Sequence, residues 1–174
     1  EESMGGILFI DEAYALHKEG SNDFGHEALE TILKQMEDKR SQFCVVLAGY
    51  SNEMNDLIES NPGLKSRFST HLKFSDFTGA QLMSILKKML LKANHLLTAT
   101  AEEKCITYLE YLADTSDIYF GNAREIRNLF EDLLKNQSSR LAQIAIEKKE
   151  ITIPLTIDEL RTITHTDLQK SYAF

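Results

Sequence analysis

Two continuous apolar runs bracket one helical pattern in the first fifty residues, and this arrangement constrains the fold more than any other feature of the chain. Residues 7–10 (ILFI) and 43–48 (FCVVLA) are apolar or near-apolar throughout; the first reads as a strand covered on both faces, the second as an apolar, β-rich run ending at Gly49. Between them, HEALETILKQMEDKR places Leu29, Ile32, Leu33 and Met36 at helical spacing, so one face of that helix packs inward. Strand, helix, strand with no hairpin signal predicts a parallel α/β sheet. The intervening HKEGSNDFG, residues 17–25, reads as a loop from its Gly, Ser, Asn and Asp content.

Downstream, NEMNDLIES (52–60) fits a short helix closed by Asn61-Pro62-Gly63, and HLKFS (71–75) fits a third strand. After Phe77 the pattern becomes helical almost without interruption: 79–97, 101–115, a long run from Asn122 to about Glu147, and a last short helix, TIDELRTI. Thr100 with Glu103, Asn122 with Glu125 and Thr156 with Glu159 have capping-box spacing or close to it, and mark helix starts. The expected organisation is an α/β part over 1–77 and an all-helical part over 78–174.

A formal net charge of −8 argues against a general nucleic-acid binder. No stretch approaches the roughly 18 apolar residues of a membrane span, and residues 1–10 show no signal-peptide pattern. Cys44 and Cys105 lack any metal-binding spacing and read as buried free thiols of a reducing, cytoplasmic compartment. The five histidines show no HxH or HExxH spacing.

Chemistry concentrates where the first strand ends. ILFI runs directly into Asp11 and Glu12, which places two carboxylates at the C-terminal edge of a parallel sheet, the edge at which open α/β folds bind ligands. Successive side chains alternate in direction, so the two acids can do different work. One can hold hydrated Mg²⁺, and the other can orient and deprotonate a water attacking a terminal phosphate. By itself the pattern is weak, and two acids meeting solvent at a strand end account for it better.

Five blocks decide between those readings. GGILFIDEAYAL, DFGHEALETILKQMED, VVLAGYSNEM, SNPGLKSRF and FGNAREIRNLFE, spanning residues 5–131, together resemble the AAA+ ATPases related to the red-type Rubisco activase CbbX and to stage V sporulation protein K. The resemblance implies the C-terminal part of a P-loop ATPase core followed by a helical lid. It implies ATP and Mg²⁺ as cofactors, hexameric assembly and a protein partner that is remodelled.

Residue by residue, the resemblance makes Asp11 the Mg²⁺ ligand and Glu12 the catalytic base. Arg67, in NPGLKSRF, becomes the arginine finger on a short proline-punctuated loop, reaching the nucleotide of the neighbouring subunit. A planar guanidinium suits the charge that develops in phosphoryl transfer. Arg124, in GNAREIRN, becomes the sensor 2 arginine of the lid. An arginine in a first helical turn also runs against the helix dipole, a local conflict of the kind found at functional positions. Arg127, one turn on, reads as a packing or salt-bridge residue. Sensor 1 stays open among Tyr50, Ser51 and Asn52. Residues 17–25 fall where the family places a second pore-facing loop, and fit a solvated connection equally well.

The 174 residues contain no GxxxxGK[ST], the loop that cradles phosphates in this class. In the family that loop lies upstream of the strand bearing the acids, so the chain is expected to be the C-terminal portion of a longer ATPase and inactive alone. Its sheet is expected to be interrupted, since the resemblance supplies only the third, fourth and fifth strands. The contrasting reading is a non-catalytic AAA+-like module for interaction or assembly. A DNA-directed clamp loader or helicase fits the acidic charge less well.

Overall fold

The computed structural model describes residues 4–17, 24–115, 120–149 and 155–169. It divides into two compact units, residues 1–74 and 75–174.

In the first unit, β1 (Ile7–Ile10) leads through a 3-10 turn (Ala13–His17) to α1 (Phe24–Asp38) and then to β2 (Cys44–Leu47). β1 and β2 pair in parallel, with Ile7 opposite Cys44 and Ile10 opposite Leu47. The expected βαβ crossover is therefore present. Helices α2 (Ser51–Ser60) and α3 (Pro62–Arg67) follow. Ala13, Leu29, Leu33, Leu57, Ile58 and Leu64 form the buried core, against which Ile10, Leu47, Tyr14 and Met54 pack. Burying such a leucine contributes roughly 1.5–3 kcal/mol.

Both strands are covered on one face, whereas β1 is expected to be covered on both. Ile7 and Phe9 remain 66% and 60% exposed, and Cys44 and Val46 on the same face are exposed too. Alternate residues point to opposite faces, and the helices of this unit pack against only one of them. Residues 71–75 likewise form no strand: among the described residues the sheet has two strands, β1 and β2, and Leu72 and Phe74 are 81% and 90% exposed. Their apolar alternation has the period of a strand, but a strand also needs a neighbour to complete its ladder.

Asn61-Pro62-Gly63 starts a helix instead of only ending one. The Asn61 side chain accepts from the Gly63 N–H at 2.7 Å, and Pro62 occupies the first helical turn, where its missing N–H costs nothing.

The second unit contains α4 (Gly79–Lys92), β3 (Leu96–Leu97), α5 (Ala99–Thr115), α6 (Ala123–Lys149), α7 (Ile157–Arg161), β4 (Thr162–Ile163) and α8 (His165–Gln169). Its core joins Leu82, Met83, Leu86 and Leu90 of α4 to Cys105 and Leu109 of α5, and to Ile126, Leu129 and Leu133 of α6. α4 opens with a full capping box between Thr78 and Gln81, and crosses α5 so closely that a Cβ on Gly79 would lie 2.8 Å from the Glu110 Cα.

α5 begins at Ala99, with the Thr98 hydroxyl accepting from Ala101 N–H at 3.2 Å; the start expected at Thr100 is displaced by two residues. The Thr156–Glu159 capping box forms as expected. The unit is not wholly helical: β3 and β4 pair in parallel, Leu96 with Thr162 and Leu97 with Ile163. A polar row on α6 holds the returning segment. Arg140 makes two hydrogen bonds to the buried Asp167 carboxylate, at 2.8 and 2.9 Å, and Gln137 donates to the carbonyls of Leu160 and Thr162. Residues 162–169 of the C-terminal segment are thus structured, while 170–174 lie outside the described residues.

Candidate functional site

Asp11 and Glu12 follow β1 directly and are both exposed. The Glu12 N–H donates to Asp11 Oδ1 at 3.1 Å. Glu12 adopts φ 52°, the left-handed region that a non-glycine residue enters at a cost. The turn is pinned to the next strand, since Ala48 N–H donates to the Ile10 carbonyl and Ala13 N–H to the Ala48 carbonyl, at 2.9 and 3.0 Å. Main-chain bonds on both sides therefore hold the strained residue, and its side chain is exposed at the sheet's C-terminal edge.

Beside it, β2 ends in Ala48-Gly49-Tyr50. A Cβ on Gly49 would meet the Tyr14 ring at 2.8 Å and Met54 Sδ at 2.9 Å, so Tyr14 and Met54 pack directly over the glycine. The Tyr14 and Tyr50 rings lie 6.5 Å apart at 36°. Tyr50 occupies the N-cap position of α2 without a side-chain cap bond, and Ser51 and Asn52 are exposed in the first helical turn.

Arg67 lies on a helix, not on the loop expected: it is the last residue of α3. A helix end so short after Asn61-Pro62 carries little periodic signal. Its guanidinium donates to Glu37 Oε2 at 2.9 Å. Glu37 sits in the last turn of α1, and a parallel crossover requires α1 to run back toward the start of β2. Asp11 and Glu12 occupy the opposite, C-terminal edge. The structure brings Asp11 and Glu12 together and holds Arg67 away from them.

In the second unit, Arg124 is exposed in the first turn of α6 and makes no ion pair among the described residues. Asn122, expected to cap that helix, adopts φ 48° and turns its side chain elsewhere. Its Oδ1 accepts from Phe77 N–H at 2.8 Å, and its Nδ2 donates to Asp76 Oδ1 at 2.6 Å and to the Phe120 carbonyl at 3.3 Å. Sequence reasoning takes this asparagine for a cap because an Asn before a helix has that use most often; only Phe77 and Asp76, more than forty residues away, reveal the other one.

No group of three or more His, Cys, Asp or Glu side chains among the described residues could form a metal cage. Exposed carboxylate oxygens at Asp11 and Glu12 do suit a hard cation that keeps most of its waters and takes one or two protein ligands, as Mg²⁺ does. Cys105 is fully buried, and burial with the Glu102 charge nearby pushes its thiol up to about 12. Cys44, expected to be buried, is exposed; both are free. The pore-loop expectation for residues 17–25 lies mostly outside the described residues. No helix among the described residues is long and apolar enough to cross a membrane.

The two units define a mixed α/β protein with a parallel strand pair, two exposed acids at the C-terminal edge of that pair and a largely helical second unit. Residues 1–76 match the ATPase family associated with various cellular activities (AAA), and residues 78–173 match the AAA lid domain. The chain belongs to the AAA ATPase family. It is 46% identical over 142 residues to stage V sporulation protein K of Bacillus subtilis (strain 168), covering 81% of this chain and 44% of that protein. It is 35% identical over 175 residues both to protein CbbX of Cereibacter sphaeroides and to the chloroplastic ribulose bisphosphate carboxylase/oxygenase activase of Cyanidioschyzon merolae (strain NIES-3377 / 10D). Those matches cover all of this chain, 54% of the first protein and 57% of the second. The chain spans about half the length of the relatives it matches.

Proposed function

We propose that the chain is part of a ring-forming, hexameric AAA+ ATPase that uses ATP hydrolysis to remodel a protein partner. The observation that supports this most is the separation of Glu12 from Arg67. The exposed acids stand at one edge of the core, and the guanidinium is held by Glu37 toward the other. One chain then carries the base for its own site and the arginine for a neighbour's.

In this reading Asp11 holds hydrated Mg²⁺, which when bound neutralises charge on the phosphates. Glu12 accepts the proton of the attacking water, and its pinned main chain fixes where that carboxylate stands. Arg67 leaves or stretches its exposed pair with Glu37 to meet charge developing on the next subunit's nucleotide. Arg124, unpaired among the described residues, contacts the phosphates from the lid. The remodelled partner is a protein, as the name of the ribulose bisphosphate carboxylase/oxygenase activase among the relatives suggests. These 174 residues, with no GxxxxGK[ST], do not turn over ATP by themselves; a stoichiometric micromolar titration with ATP would count against that.

The test mixes two inactive variants of the intact ATPase, Glu12→Gln and Arg67→Ala. If the arginine acts between subunits, mixed rings contain interfaces with both groups intact, and activity partly returns. If each variant stays inactive in every mixture, the arrangement between subunits is wrong.

A further inference from the structure

Asn122 makes more specific contacts than a helix-start residue needs. Its amide offers an acceptor and a donor at one end, and both are used on consecutive residues at the beginning of the helical unit: Phe77 N–H to Oδ1 at 2.8 Å, and Nδ2 to Asp76 Oδ1 at 2.6 Å. The backbone at Asn122 is left-handed, φ 48°, a conformation that asparagine tolerates better than most residues. That conformation lets the Gly121 carbonyl accept from Arg124 N–H at 2.9 Å, so the first turn of α6 is built on the same residue that holds Asp76 and Phe77.

We propose that Asn122 is a positioning residue: it latches the first turn of α6, and with it Arg124, to Asp76–Phe77, the segment by which the chain enters the helical unit. The inference rests on the reading of Arg124 as a nucleotide contact. Without the latch, the arginine keeps its chemistry but loses its fixed placement relative to the point where the lid begins. The amide is matched to its partners. Aspartate at 122 keeps the acceptor for Phe77 but sets one carboxylate against another at Asp76. Glycine keeps the positive φ and removes the latch alone.

The latch is read first in the chain itself, by hydrogen exchange at the Phe77 amide. Protection is expected in the wild type and lost in Asn122→Gly and Asn122→Asp. It is expected to return in the exchanged pair Asn122→Asp with Asp76→Asn, where the amide introduced at position 76 donates to the carboxylate introduced at position 122. Failure of the exchanged pair to restore protection overturns the latch.

Its role is then read in the intact ATPase by nucleotide affinity. Asn122→Gly is expected to weaken ATP binding about fivefold to tenfold, the scale of one or two lost hydrogen bonds. Added to Arg124→Ala, it is expected to cost nothing further, because a positioning residue has no effect once the group it positions is gone. Additive losses would mean that Asn122 only stabilises the fold, and overturn the proposal. So would wild-type affinity in Asn122→Gly when Arg124→Ala binds weakly. Wild-type affinity in Arg124→Ala instead overturns the nucleotide contact itself, and the positioning role with it.

Discussion

The Arg67 guanidinium donates to the Glu37 carboxylate at 2.9 Å and so ties the end of α3 to the last turn of α1. The pairing has a local reason. Glu37 and Asp38 place negative charge where α1 already presents its negative dipole end, with no basic residue in that turn. Arg67 supplies the missing cation while its own backbone closes α3, where a positive charge is favoured.

Because Glu37 is 61% exposed, the pair contributes little to stability, and Glu37→Gln should cost under about 1 kcal/mol by chemical denaturation. In the intact ATPase the proposed function expects a different scale from Arg67→Ala: about 10³-fold or more lost in kcat with ATP affinity preserved. Equal losses in affinity and turnover would point to Arg67 holding the ground-state nucleotide.

Glu12 separates stability from activity. Its left-handed φ of 52° costs about 1 kcal/mol or more that glycine would not incur. Glu12→Gly should therefore leave the chain as stable as the wild type or slightly more so. Glu12→Gln, which keeps the shape and removes the base, should slow hydrolysis in the intact ATPase by about 10²- to 10⁴-fold and leave ATP bound. Unchanged turnover in Glu12→Gln would remove this residue from the reaction.

The two cysteines should separate by reactivity. Cys44 is exposed, and the buried Cys105 thiol is pushed up to about 12 by desolvation and then by Glu102. At pH 8 one thiol per folded chain should react quickly with an aromatic disulfide, and the second only on unfolding. The raised value also gives a sign for stability. Below pH 9 both states hold the Cys105 proton and its contribution is fully present. Between pH 9 and about 12 the unfolded chain releases that proton while the folded chain retains it, so stability falls as pH rises through this window.

What the sequence disclosed follows the length scale of each signal. β1, α1 and β2 were legible because the apolar runs and the helical spacing of Leu29, Ile32, Leu33 and Met36 repeat over whole elements. The placement of Asp11 and Glu12 at the C-terminal edge of the sheet was legible because strand polarity fixes which edge follows β1. The two-residue pairing of β3 with β4 left no trace, since a pattern of period two cannot be read from Leu96-Leu97 alone. HLKFS misled for the opposite reason: Leu72 and Phe74 alternate correctly, but pairing depends on a neighbour that no local pattern specifies. Asn122 reaches Asp76 and Phe77, and Arg140 reaches Thr162 and Asp167, across 22–46 residues, and such long-range polar contacts have no periodicity.

Glycine size should matter most where two helices meet. A Cβ on Gly79 would lie 2.8 Å from the Glu110 Cα and 2.9 Å from its N, both main-chain atoms of α5. A Cβ on Gly49 would instead meet the Tyr14 ring and the flexible Met54 thioether, which can shift by rotation about side-chain bonds. Overpacking costs about 1–3 kcal/mol, and more where the backbone must move. Gly79→Ala should therefore destabilise the helical unit at the upper end of that range or beyond it, and Gly49→Ala should lie nearer the lower end. Gly79 is buried at the first position of α4, so the small gain in helix propensity from alanine cannot offset a main-chain displacement. Thermal unfolding of the two variants side by side checks the order, and a Gly79→Ala protein as stable as the wild type would mean that α4 and α5 can separate at this crossing without loss.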